Sequence, residues 1–289
     1  MDAAIVGRLA RRSRRDLAVI AVALAAGLVF PVVSSPVVAQ VPGAVGQPFT
    51  ATVRAVDTNG KIYTDTMRIK IGPVSRETKV NMAIDKGLWY LHKTMTQLTV
   101  DGQPAGRWAN ESGYSAINNQ LAGTAPAVQA FEINNHRPSG DVTRDPYVDD
   151  VRRGLRFLMS TAGQLTAENT IQQGANSPDS NGNGFVLYSS RNDHQVYLSG
   201  QVIDAIVASG TPNALADTGV AAYVRGRTYK AVVQDMLDGY AQGMNDDKGM
   251  WLYTPNTGVA GGYGSGDVSA SHWWAAGVLA AEGWGLDAS

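Results

Sequence analysis

The chain has 289 residues, with 24 Lys and Arg against 25 Asp and Glu, and no cysteine. A 44% hydrophobic content suffices for a large core, and the near-neutral charge gives no electrostatic attraction toward nucleic acid, whose phosphates call for clustered Lys and Arg. Without cysteine there are no disulfides, thiolate zinc sites, iron–sulfur clusters or cysteine nucleophiles.

Arg8, Arg11, Arg12, Arg14 and Arg15 precede an uncharged apolar run over residues 17–33. A basic head before a short apolar segment predicts an export signal. Val37-Val38-Ala39 offers small residues where a signal peptidase reads, so residues 1–39 form the expected leader and Gln40 the mature start. An uncleaved inner-membrane anchor facing outward is the alternative. The run is barely long enough to cross about 30 Å of hydrocarbon, and Pro31 disfavours a longer helix. Ser13-Arg14-Arg15-Asp16-Leu17 also resembles the twin-arginine export signature. The expected location is therefore periplasmic or cell-surface, with membrane contact through this segment alone.

Residues 49–56 and 62–71 are rich in β-branched side chains and alternate apolar with polar. Asn59-Gly60 between them is a hairpin turn signal. Residues 40–73 thus read as a short N-terminal β-hairpin, which resembles the closing strands of an immunoglobulin-like or PKD-type module. Gly72-Pro73 marks the boundary to a helical domain over residues 74–289.

From about Val80 the apolar period lengthens to that of a helix. Three stretches carry apolar residues at i, i+4 and i+7: Ile84/Leu88/Leu91, Val151/Leu155/Leu158 and Val233/Leu237/Tyr240. Each is followed by a second apolar helix. In these, Thr124, Ser199 and Ser271 are expected N-cap hydroxyls. Ala130, Ala205 and Gly277 come six residues later and allow close helix approach. Residues 184–188 (Gly-Phe-Val-Leu-Tyr) match 249–253 (Gly-Met-Trp-Leu-Tyr), with Gly106-Arg107-Trp108 a poorer copy. The stretch over residues 95–120 has room for extra short helices. Units of this kind bury their apolar faces by stacking on their neighbours.

Residues 127–136, 199–209 and 267–282 resemble the repeats of squalene cyclases and protein prenyltransferases. The resemblance covers roughly residues 80–285. It implies a mainly α fold: a partial or complete α/α toroid of repeated helix pairs around a central cavity. The catalytic motifs of that family are incomplete here. The cyclase Asp-x-Asp-Asp motif has its nearest counterpart in Asp145-Pro146-Tyr147-Val148-Asp149-Asp150, where Tyr147 stands in place of the first acid. Asp149 and Asp150 also fit the first turn of a helix, where carboxylates are favoured by the dipole. The prenyltransferase zinc set of Asp, Cys and His lacks its cysteine, leaving Asp267 and His272. The candidate catalytic residues are therefore Asp149, Asp150, Asp267 and His272, as proton donors or ligands.

Asp179, Asn181 and Asn183 with Gly184 match the first half of a calcium loop, but Ser190 occupies the position of the bidentate Glu. A Gly/Asn turn explains the segment equally, so calcium is the one cofactor in view and the expectation without it is none. The four histidines are widely spread and form no close ligand pair. The six Trp and eleven Tyr fall largely in the repeats, as core, as cavity lining or as platforms for sugar rings. The glycine-rich run over residues 258–266 reads as a mobile loop, not a phosphate-binding one.

Three functions fit these residues. The first is an exported binding or scaffolding module without catalysis. The second is a divergent enzyme on an isoprenoid-like apolar substrate, and the third a carbohydrate-active lyase or glycosidase. The expected partners are an apolar small molecule, another protein, or further repeats and self-association at an open repeat edge, with nucleic acid excluded.

Overall fold

A computed structural model of the chain describes residues 48–56, 62–70, 75–109, 116–168, 177–189, 194–244, 249–255 and 266–286. The expected leader over residues 1–39 lies outside these, as do the hairpin turn at residues 57–60 and most of the glycine-rich run after Gly258. The described residues are mainly helical. The chain divides into two units, Met1–Tyr90 with Asp141–Pro146, and Leu91–Gly140 with Tyr147–Ser289.

In the first unit β1 (Pro48–Val56) pairs antiparallel with β2 (Ile62–Lys70), from Pro48↔Lys70 to Val56↔Ile62. Helix α1 (Arg76–Thr94) begins where Ser75 Oγ accepts a hydrogen bond from the Thr78 amide at 3.1 Å, meeting one of the donors a helix start leaves free. Along its apolar stripe Leu88 is buried, but Ile84 is 39% exposed.

The second unit holds the last turn of α1 and every later element. β3 (Thr96–Val100) and β4 (Gln103–Arg107) form a hairpin through Asp101-Gly102, both at positive φ (50° and 81°). This Asp-Gly turn is the two-residue type that matches strand twist, and it occupies part of the stretch that had room for extra short helices. Five helices follow: α2 (Ala116–Glu132), α3 (Tyr147–Met159), α4 (Gln195–Ala208), α5 (Tyr229–Gly243) and α6 (Val268–Glu282). Between α3 and α4, β5 (Leu165–Glu168) pairs antiparallel with β6 (Val186–Ser189).

Helices α2, α4 and α6 make one layer, with α4 between the other two. Helix α3 packs on α2, and α5 on α4, making the second layer. The core lies between the layers: Val151, Leu155 and Leu158 of α3, and Val233, Leu237 and Tyr240 of α5, are all fully buried. Small residues set the helix spacing. A Cβ on Gly154 would lie 2.2 Å from Val128 Cγ2 of α2, and one on Gly200 would lie 2.1 Å from the Trp273 carbonyl oxygen. Gly277 faces the Gly200 backbone from the α6 side.

Thr124, Ser199 and Ser271 are not N-caps. Their helices start earlier, at Ala116, Gln195 and Val268, and α6 is capped by Asp267, whose side chain accepts from the Ala270 amide. The three hydroxyls instead share another task. Thr124 Oγ1 accepts from the Trp108 amide (3.1 Å), Ser199 Oγ from the Ser189 amide (2.9 Å) and Ser271 Oγ from the Trp251 amide (3.2 Å). Each pins the segment before its helix to the helix side, satisfying a backbone donor that would otherwise be buried unpaired.

Candidate functional site

The first turns of α2, α4 and α6 open onto one pocket of about 380 Å³, within the size range of small-molecule sites. Asn118, Asn119 and Ala122 come from α2, and His194, Tyr197 and Leu198 from the start of α4. Tyr253 and Ser269 complete the wall. Three helix N-termini reach the same pocket, so the three helices run parallel and present the positive ends of their dipoles there.

The wall is aromatic and amide-rich. The His194 and Tyr253 rings lie 4.8 Å apart and tilted by 31°, Tyr197 stands 6.1 Å from Tyr253, and Trp273 stands 5.7 Å from Tyr197. The Val196 amide donates to the Tyr253 carbonyl at 3.0 Å, which holds Tyr253 against α4 while its side remains 40% exposed. Asn118 Nδ2 lies 3.3 Å from His194 Nδ1, tying the α2 and α4 ends together. No Asp or Glu lines the pocket among the described residues. Its chemistry is that of flat apolar ring faces beside neutral hydrogen-bonding groups.

The four sequence candidates for catalysis do not gather there. Asp267 stands nearest in the chain, but its Oδ1 is taken by the Ala270 amide (2.9 Å) and the Ser269 hydroxyl (2.5 Å). These bonds hold its carboxyl below the ordinary range. His272 is exposed beside Trp273, with ring centroids 5.7 Å apart. Asp149 and Asp150 occupy the first turn of α3. That turn meets the C-terminal end of α2, where the Phe131 and Tyr147 rings lie 5.2 Å apart, so both acids sit at the end of the layer away from the pocket. Asp149 binds Arg153 one turn on, at 2.6 Å.

Asp150 has a partner that spacing could not reveal. Only 2% exposed, it accepts from His92 Nδ1 at 2.6 Å across 58 residues of chain. Burial raises the Asp150 pKa while His92 opposes, and the bond to Asp150 raises that of His92. Tyr147 packs edge-on against both His92 (5.6 Å) and His136 (4.7 Å).

The calcium-like segment is an acid-anchored turn. Asp179 accepts from the Asn183 and Gly184 amides, Asn181 Oδ1 from the Asn183 amide and Asn183 Oδ1 from the Phe185 amide. Their oxygens therefore serve the turn's own backbone. Their amide groups point the other way: Asn181 Nδ2 (2.6 Å) and Asn183 Nδ2 (2.8 Å) both donate to the buried Asp235. Arg227 completes the partners of Asp235, and Ser180 donates to the buried Asp238 at 2.7 Å. Burial pushes the Asp238 carboxyl up to about 6. The twelfth loop position, Ser190, lies outside the described residues. Among the described residues no three His, Cys, Asp or Glu side chains gather as metal ligands.

One further acid stands apart. Glu132, at the C-terminal end of α2, is 1% exposed, and neither carboxyl oxygen has a hydrogen-bond partner. Burial pushes its pKa up to about 9, against the nearby Arg137 and with the help of Asp204.

The pocket residues carried a signal in the sequence. Ala122, Tyr197 and Ser269 each stand two residues before the pinning hydroxyls Thr124, Ser199 and Ser271, so one register selects three wall positions. No family model, curated protein or solved structure matches the chain.

Proposed function

We propose that this chain is an exported binding protein of α/α-toroid type, with a non-catalytic pocket that takes a saccharide-like ligand. The observation that carries the reading is the wall of Tyr197, Tyr253 and His194 rings set among the amides of Asn118 and Asn119, with no Asp or Glu in it among the described residues. Ring faces suit the apolar faces of a sugar, and amides suit its hydroxyls. Glycosidic hydrolysis requires two carboxyl groups flanking the bond, and among the described residues this wall holds neither, which favours binding over cleavage.

The toroid reading is supported by two layers of helices with parallel members in one, and by three hydroxyls in one register that pin three successive segments. The export reading is supported by the arginine-rich head and apolar run of the first 39 residues. The enzyme reading on an apolar substrate draws less support, because Asp150 is held by His92 and Asp267 by its own helix start.

The test is calorimetric titration of the full chain with soluble oligosaccharides from several polysaccharide classes. One class is expected to bind, with Tyr197→Ala and Tyr253→Ala each weakening it about tenfold, the scale of one lost ring contact. Failure of every saccharide to bind would overturn the proposal. So would cleavage of a saccharide, or turnover of a polyprenyl substrate that Asp150→Asn abolishes.

A further inference from the structure

The aromatic wall of the pocket is a corner. His194 and Tyr253 lie 4.8 Å apart at 31° and form one surface. Tyr197 stands across it, at 86° to His194 and 62° to Tyr253, with centroids 6.4 and 6.1 Å away.

The start of α4 sets this angle. His194 directly precedes the helix and Tyr197 lies in its first turn, so their side chains are neighbours by the i, i+3 spacing. Tyr253 is joined to the same turn through the bond from the Val196 amide to its carbonyl. From α6, half-buried Trp273 packs on the Tyr197 ring at 5.7 Å and 61°. Gly200 lets α6 come that close, because its missing side chain leaves room for the Trp273 carbonyl.

A glycan chain bound along its length lies on ring faces that share a plane, since each sugar repeats the same contact. A corner interrupts such a track, because the second ring blocks the path along the first. It seats a single pyranose, with an apolar face on the Tyr253–His194 surface and its rim against Tyr197. The amides of Asn118 and Asn119 are wall groups suited to its hydroxyls. The volume agrees with one sugar residue: 380 Å³ is near the lower end of the roughly 300–1,000 Å³ of small-molecule sites.

We infer that the pocket takes one sugar residue, free or at the end of a chain, and not an internal stretch of polysaccharide. This mode of recognition rests on the saccharide reading above.

Calorimetric titration of the full chain with matched length series tests it. The probes are glucose, mannose, galactose and N-acetylglucosamine, each with its linear di- to tetrasaccharides. In the series that binds, the monosaccharide is expected to bind, and lengthening it to the tetrasaccharide to raise affinity by less than about threefold. A tetrasaccharide that binds equally marks a chain-end site, and one that fails marks a site for the free sugar. Tyr197→Ala is expected to weaken every bound length alike, by about tenfold. A larger rise with length overturns the inference and leaves the saccharide reading standing. So does a Tyr197→Ala loss confined to the longer chains. Failure of every length in every series overturns both. The parent series decides the matter even where the variant fails to fold.

Discussion

His92 and Asp150 show how far a single pair of side chains can be read. A carboxylate in the first turn of a helix is ordinarily explained by the helix dipole, and Asp149 fits that account with its Arg153 partner. Asp150 does not, because its side chain is turned inward, where an ionised oxygen requires a donor. The donor comes from 58 residues upstream. In Asp150→Asn, His92 loses the bond that raises its pKa, while burial still acts to lower it. The His92 ring protons, followed by NMR, are expected to titrate above 6.5 in the parent and at a lower pH in the variant. The variant is also expected to lose about 1–3 kcal/mol of stability, the effect of disrupting a buried polar pair. An unchanged titration midpoint would mean that the two groups do not interact in solution.

At the scale of elements, the helices and the buried stripes of α3 and α5 were legible in the amino-acid pattern, since apolar spacing near 3.6 is a property of the local sequence, while the stripe of α1 is buried only at Leu88. The caps were not. Thr124, Ser199 and Ser271 have the residue types of caps, and a local rule cannot tell a hydroxyl that ends a helix from one that pins a passing strand. Strand β5 was hidden for a related reason, since four residues hold too few alternations to be distinguished from loop, whereas β6 falls on the repeated Gly-x-x-Leu-Tyr segment that reads as a strand. Ser199→Ala is expected to cost about 1–3 kcal/mol by leaving the Ser189 amide buried and unpaired. Ser271→Ala, in a less buried setting, should cost less. Gly200→Ala puts a methyl into the Trp273 carbonyl and should cost at least ~2 kcal/mol by forcing α4 and α6 apart. Urea denaturation of the three variants checks the order. Equal losses at Ser199 and Ser271 would argue against the burial account.

For the whole molecule, the buried acids set the dependence of stability on pH. Glu132 loses its proton near 4.5 when unfolded and near 9 when folded. Between these values the folded chain holds a proton that the unfolded chain has released, so stability falls as pH rises across that window. Asp238, raised to about 6, and Asp150, Asp204 and Asp235, also raised by burial, act in the same direction. His92 adds to it, since the stability from its bond to Asp150 is complete below 6.5 and is lost as pH passes its raised folded value. Asp101 and Asp267, held low by hydrogen bonds, oppose the trend from partly exposed positions at lower pH. The urea midpoint is expected to drop between about pH 5 and pH 8. Glu132→Gln, which replaces the acid with a neutral amide, should flatten most of that slope and gain roughly 2 kcal/mol at the alkaline end. A midpoint that rises over this range would contradict the assignment of Glu132 as a neutral acid. None of this was legible in the sequence, because only the folded arrangement decides whether water reaches Glu132.

The face-to-face indoles of Trp251 and Trp274, 3.9 Å apart and 16° from parallel, give the molecule an optical reporter of its own. Chromophores held that close share their excited states, so the aromatic circular dichroism band should split into a couplet of opposite signs. One ring belongs to α6 and the other to the segment that Ser271 pins against it. Loss of the couplet before loss of the peptide signal during heating would mark the last helix lifting away ahead of general unfolding, without any label being attached.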